Sequence, residues 1–182
     1  EMVLWVLEIC KKILNKETDL VVATDDKKIF NFVKRNKFKS IMTSRNCLTG
    51  TDRVAEVAKK ISADIYINVQ GDEPLVNPTD ILSVIEVAIK NNYSVTNAFS
   101  DVVSLDEYYS NAVPKVVTDN DDKLIYMSRA AIPAFKTGKK VDLSSLKKQI
   151  CIYAIKKEFV GKKKELKKKD LSYKSDFNTY LN

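Results

Sequence analysis

The sequence predicts an α/β domain with a largely parallel sheet carrying helices on both faces. Through the first half of the chain, short β-branched apolar runs alternate with segments whose apolar residues recur every three and four positions. That is the order of strand–helix–strand units joined by right-handed crossovers. The chain has 182 residues, 45% of them apolar, which is enough for one core of ordinary size. No repeat or linker-like stretch divides it, so a single domain over 1–182 is expected.

Each element has its own signal. Val3, Val6, Leu7, Cys10, Ile13 and Leu14 share one face of a helix over 2–14. Leu20–Ala23 in "DLVVATDD" is a short buried strand, and Thr24, Asp25 and Asp26 are residues of a loop or helix start. Ile29, Phe30, Phe32 and Val33 mark a second helix and "KSIMTS" a second strand. After "RNCLTGTDR", Val54, Val57, Ala58 and Ile61 mark a third helix, and "DIYINV" is the next strand. Asn77 before Pro78 is a cap followed by a first-turn proline, with Ile81, Val84, Ile85, Ala88 and Ile89 as the buried stripe. "SVTNAF", "PKVVTD", "KLIYMS" and "QICIYAI" then read as strands with less helix between them, and "TDNDDK" as a hairpin loop.

Composition removes several classes of chemistry. There is no histidine, which excludes Ser-His-Asp and Cys-His nucleophiles, histidine bases and histidine metal sites. Four glycines form neither a GxGxxG nor a GxxxxGK[ST] motif, so dinucleotide and P-loop readings lose their support. Cys10, Cys47 and Cys151 are too scattered for a disulfide framework or a CxxC zinc pair, and a reducing cytoplasm is expected. The apolar run Met2–Leu7 is too short to span a bilayer, so no membrane partner is expected. Residues 156–169 hold eight lysines against two glutamates and account for most of the formal charge of +7. Aromatics for base stacking are nearly absent there, and the block reads as a solvated surface rather than a nucleic-acid patch.

In sheets of this kind ligands bind at loops beyond the carboxyl ends of the strands. Three polar loops qualify: "ATDD" at 23–26, "LTGTDR" at 48–53 and "QGDEP" at 70–74. Asp72, after Gly71 at a strand end, is either a turn residue or a hard oxygen ligand of the kind that holds Mg²⁺ beside substrate phosphates. Gln70 offers hydrogen bonds to a hydroxylated or nucleobase ligand. In "GTDR", Thr51 or Asp52 caps a helix with Arg53 solvated, or else Gly50 and Arg53 receive an anion or a base edge.

Taken in order, "VVATDD", "MTS", "TGTDRVAEVA", "YINVQGDEPLV", "KVV", "YMSRAAIP" and "ICIYA" resemble the CMP-sugar synthetases, specifically the 3-deoxy-D-manno-octulosonate (KDO) cytidylyltransferase family, over residues 2–158. The resemblance implies a Rossmann-like three-layer nucleotidyltransferase fold of the nucleotide-diphospho-sugar transferase type, with a mostly parallel central sheet. It implies a cytoplasmic enzyme, a homodimer in the family, that joins CTP to KDO, giving CMP-KDO and pyrophosphate for lipopolysaccharide synthesis. By the same resemblance Asp72 holds Mg²⁺ and Gln70 contacts the sugar near the reacting centre. Gly50, Thr51 and Arg53 fall in the nucleotide pocket. Ser128, Arg129 and Tyr153 fall in the sugar site, with Arg129 facing the carboxylate, and Asp176 is the counterpart of a second metal ligand.

The sequence departs from the family pattern in three places. The family's first strand and its PAR-x-x-S-x-R-x-x-x-K triphosphate loop have no counterpart here, and turnover is expected to need that loop. Gln149 and Cys151 stand where the family commonly has His and Gly before "IYA", which admits an 8-amino-KDO or a nonulosonate as the sugar. The segment after "IYAI" is short, which bears on dimerisation; a non-catalytic nucleotide- or sugar-binding relative is the alternative reading.

Overall fold

The computed structural model describes residues 2–136 and 140–160. The elements are α1 (Met2–Lys11), β1 (Val21–Thr24), α2 (Lys27–Arg35), β2 (Lys39–Met42), α3 (Gly50–Ala58), β3 (Ile65–Val69), α4 (Pro78–Lys90) and β4 (Val95–Asp101). They continue with α5 (Leu105–Tyr109), β5 (Lys115–Thr118), β6 (Leu124–Ser128), a 3-10 turn (Leu143–Ser145), β7 (Lys147–Lys156) and α6 (Lys157–Val160). The chain forms two compact units, one reaching to Thr96 and resuming at Ile152, the other holding Asn97–Cys151.

In the first unit, β1 and β2 pair in parallel across the α2 crossover, with Val21 opposite Lys39 and Thr24 opposite Met42. Asp26 caps α2 by accepting the Lys28 and Ile29 N–H groups at 2.5 and 3.2 Å, and Val33 carries the helix's buried face. Asn77 caps α4, Pro78 occupies the first turn, and Ile81, Val84 and Ala88 are buried. Ile89 falls off that stripe and is 63% exposed. Tyr66, Ile155 and Val160 centre a core that also takes Val54, Ala55, Ala58, Tyr153 and Phe159.

The expectation of a mostly parallel sheet does not hold. β3 runs antiparallel to the Ile152–Lys156 half of β7, β5 runs antiparallel to β6, and β5 runs antiparallel to the start of β7. Parallel neighbours need a crossover of a dozen or so residues. The β5–β6 connection is instead the short turn predicted from "TDNDDK", where the Asp119 carboxylate accepts the Asp121 and Lys123 N–H groups at 3.0 and 2.8 Å. The partner of β3 lies more than eighty residues downstream, and a local apolar pattern carries no record of its direction.

In the second unit Val102, Tyr108 and Leu146 form a core with Ala131, Phe135, Val141 and Leu143 against it. Tyr108 is 2% exposed and its hydroxyl donates to the Pro133 carbonyl at 2.8 Å, which satisfies the one polar atom the ring takes inside. The helix α5 carrying Tyr108 was not expected; five residues are too few for a helical period to register. Among the described residues no helix is long and apolar enough to cross a membrane. The lysine block from 161 onward and Asp176 lie outside the described residues.

Candidate functional site

The start of α3 organises the first unit's polar loops. Thr49, not Thr51 or Asp52, is the cap: its extended backbone lets the hydroxyl accept the Asp52 N–H at 3.3 Å, while the Asp52 carboxylate accepts the Thr49 N–H at 2.9 Å. This reciprocal capping box is typically worth about 1 kcal/mol. It places Gly50, Thr51 and Asp52 in the first turn and turns Arg53 back toward the sheet.

Arg53 is not solvated. Its Nη1 donates to the Thr43 hydroxyl at 2.8 Å and to the Ser44 carbonyl at 3.4 Å, and its Nη2 lies 3.1 Å from Asp25 Oδ1. One guanidinium therefore ties the helix α3 to the loops that follow β1 and β2. The Thr43 N–H closes the same junction by donating to the Thr24 carbonyl at 2.9 Å. Arg53 holds the Asp25 carboxyl below its usual range, chiefly through the hydrogen bond and secondarily by its charge.

One helical turn on, Glu56 accepts the Ser44 N–H at 2.7 Å, and this bond holds its carboxyl below the usual range as well. Burial, followed by the neighbouring Glu56, pushes the Cys47 thiol up, so it stays protonated and offers no thiolate nucleophile at neutral pH.

The third loop joins through Gly50. A Cβ there would sit 3.5 Å from the Asn68 side chain, so the first turn of α3 lies against the end of β3. Asn68 is in register with Tyr153 on β7, which places that predicted residue across the ladder from the same spot. Beyond β3, Gln70 is half-buried and its carbonyl accepts the Glu73 N–H at 3.3 Å. Asp72 and Glu73 are exposed on the turn.

The remaining predicted residues belong to the second unit. Arg129 Nη1 donates to the Asn111 and Ala112 carbonyls, each at 3.0 Å, and the Ser128 hydroxyl accepts the Ala130 N–H at 3.1 Å. Gln149 is buried, and its backbone N–H donates to the Pro114 carbonyl at 2.9 Å.

Among the described residues no group of three or more carboxylates or cysteines is placed to hold a metal. The donor set does not fit an ion held by protein alone. Asp72 is exposed and no described residue gives it a hydrogen bond or ion pair, which fits the one-carboxylate mode in which Mg²⁺ is held mainly by substrate oxygens and water.

Sequence reasoning had the three loops but not their joint. Asp25, Thr43, Ser44 and Asn68 fall in segments that read as loops or strands, and Glu56 falls within the predicted third helix with no role of its own. The available signal was that each is a polar side chain at the carboxyl end of a strand or one helical turn from Arg53.

Polar loops gathered at strand ends around one arginine define the class: an α/β chain of the kind that takes small ligands beyond its strands. The family follows from comparison. A family model described as cytidylyltransferase matches residues 1–180, and the chain belongs to that family. It is 44% identical over 117 residues to the 3-deoxy-manno-octulosonate cytidylyltransferase of Trichlorobacter lovleyi, covering 64% of this chain and 46% of that one. It is 37% identical over 161 residues to the enzyme of the same name from Fusobacterium nucleatum, covering 87% and 64%. The solved structure of CMP:2-keto-3-deoxy-manno-octonic acid synthetase complexed with CTP matches with a TM-score of 0.79 at 30% identity, covering 91% of this chain and 67% of that one. The chain thus spans about half to two thirds of the length of these curated relatives.

Proposed function

We propose that this chain serves the transfer of CMP from CTP to the anomeric hydroxyl of KDO or a closely related acidic sugar, with release of pyrophosphate. The observation that carries the reading is the Arg53 junction: in a member of the cytidylyltransferase family, one guanidinium gathers the loops after β1 and β2 onto the helix whose first turn faces the end of β3. The names of the relatives support the choice of CTP and an acidic sugar.

In the proposed reaction the sugar hydroxyl attacks the α-phosphorus in line and pyrophosphate leaves. No covalent intermediate with the protein forms, so catalysis rests on position and charge. Gly50, Thr51 and Arg53 form the nucleotide side, with the backbone of Gly50 free of a side chain where a base or phosphate approaches. Gln70 orients the sugar hydroxyl near the reacting centre and Tyr153 borders it. Ser128, Arg129 and Gln149 hold the sugar, the guanidinium of Arg129 pairing with its carboxylate. Asp72 holds Mg²⁺, which when bound offsets the charge of the triphosphate and the acidic sugar. The family's homodimer and a cytoplasmic setting belong to the same proposal, as does a role in surface-glycan synthesis.

Incubating the protein, in a form that carries the triphosphate loop turnover is expected to need, with CTP, Mg²⁺ and a panel of KDO, 8-amino-KDO and nonulosonate sugars tests the reading. Pyrophosphate release with one of them is expected. Calorimetric CTP binding with no release from any sugar would instead make the chain a non-catalytic binder, and failure to bind either ligand would defeat both versions.

Gly50 provides a sharper check. A Cβ there meets Asn68 only at ordinary contact distance, so Gly50→Ala is expected to keep or raise thermal stability, by up to about 1 kcal/mol as alanine replaces glycine in a helix. The same methyl should weaken CTP binding by roughly tenfold if the nucleotide lies against this turn. Unchanged CTP affinity in calorimetry would place the nucleotide elsewhere.

A further inference from the structure

Lys115 is a charged residue with no exposed surface at all. It sits at the start of β5, in register with Ser128 on β6 and with Lys148 on β7. Its ammonium donates to three backbone carbonyls, those of Ser110 at 2.8 Å, Val113 at 2.7 Å and Arg129 at 2.8 Å. An ammonium has three N–H donors, so the cage uses all of them.

The intervening carbonyls complete a circuit. Asn111 and Ala112, between the two loop residues bound by Lys115, accept the guanidinium of Arg129, and Pro114 accepts the Gln149 N–H. The five consecutive carbonyls from Ser110 to Pro114 are thus each held by Lys115, Arg129 or Gln149. Lys115 grips the loop that seats the Arg129 side chain and also grips the Arg129 backbone.

A buried ammonium is an expensive way to fill a core position, because its desolvation is offset only by well-made hydrogen bonds. Burial, then the nearby charge of Arg129, pulls the Lys115 ammonium below the usual lysine range. An apolar side chain of the same length would fill the space without that penalty but would leave the carbonyls unbonded. Two cations on one short loop raise the positive potential around Arg129, where the proposed function puts the sugar carboxylate.

We infer that Lys115 is a positioning residue for the acidic sugar: by clamping the Ser110–Val113 loop and the Arg129 backbone, it sets the place and direction of the Arg129 guanidinium. This rests on the reading in which Arg129 takes the sugar carboxylate.

The test compares Lys115→Met, Arg129→Ala and the double variant in the intact protein, measuring KM for sugar and for CTP separately. Lys115→Met is expected to raise the sugar KM by roughly tenfold, the scale of a charge-assisted hydrogen bond, and to leave the CTP KM within about twofold. In the Arg129→Ala background it should add little further loss, because the group it positions is gone. A normal sugar KM in Lys115→Met, equal rises in both KM values, or full additivity with Arg129→Ala would overturn the inference. If Arg129→Ala itself leaves the sugar KM unchanged, the assignment of Arg129 fails first and the inference falls with it. Should Lys115→Met not fold, Lys115→Gln, which keeps two donors, is expected to show a smaller rise confined to the sugar. Failure of both variants to fold would assign Lys115 to stability alone and overturn the positioning role.

Discussion

Replacing Asp72 with asparagine is expected to lower metal-dependent CMP transfer by about 100-fold or more, while the melting temperature stays within about 2 °C. Two features of Asp72 separate these effects. Asp72 is exposed on the turn after β3 and bonds to no described residue, so the fold does not draw on its charge. Surface substitutions of that sort change stability by roughly 0.5 kcal/mol or less. As a metal ligand, by contrast, asparagine keeps the shape and one oxygen but loses the charge that makes a carboxylate bind Mg²⁺. Raising Mg²⁺ should recover part of the lost activity. Full activity of Asp72→Asn at ordinary Mg²⁺ would show that another group holds the metal.

The second large effect is expected at Arg53. Arg53→Ala should weaken CTP binding by about 10- to 100-fold, and Arg53→Lys should recover little of it. The guanidinium reaches Asp25, Thr43 and Ser44 with a fixed fork of donors, and a lysine's point charge cannot span all three. Asp25→Asn should move CTP affinity in the same direction by a smaller step, since it removes the charge that orients the fork but leaves the Thr43 and Ser44 bonds. Both members of the ion pair are partly exposed, so little change in global stability is expected from either substitution.

The pair also has a defined pH response. Because Arg53 lowers the folded-state pKa of Asp25, the stabilisation is fully present above the ordinary carboxylate range and disappears as pH falls through the depressed value. CTP affinity measured by calorimetry should therefore show no break attributable to this pair between neutral pH and the ordinary carboxylate range. It should then fall under acid conditions in the wild type but not in Asp25→Asn. Wild-type-like CTP affinity in Arg53→Ala would remove the junction from the nucleotide site.

Much of this arrangement was legible before any coordinates. The strand runs, the Asn77–Pro78 helix start and the "TDNDDK" hairpin are encoded within a few residues, because caps, first-turn prolines and turn aspartates act on the backbone beside them. The three candidate loops were legible for the same reason, each being a polar stretch at the end of an apolar run. The cap of α3 lies two or three positions before the expected one because Thr49, Thr51 and Asp52 are all competent caps. Only the extended backbone at Thr49 and the reciprocal bond from Asp52 distinguish them.

Partners distant in sequence were not legible. Arg53 and Asp25 are separated by a helix and a strand, and each alone reads as an ordinary surface residue. Lys115 opens the β-branched run "KVV", and nothing nearby shows that its ammonium reaches the carbonyls of Ser110, Val113 and Arg129.

By itself, then, the sequence determined the order of helices and strands, the absence of histidine chemistry, and the motif set that marks a cytidylyltransferase. Tertiary structure alone decided that β3 and β5 run antiparallel to β7 and β5 to β6, that Arg53 is a joint between loops, and that a buried lysine holds the Arg129 loop. The physical division is one of range. Backbone propensity and capping act over four or five residues, whereas strand direction and the pairing of buried charges depend on which distant segments pack together, and half-buried strands of either direction carry similar apolar patterns.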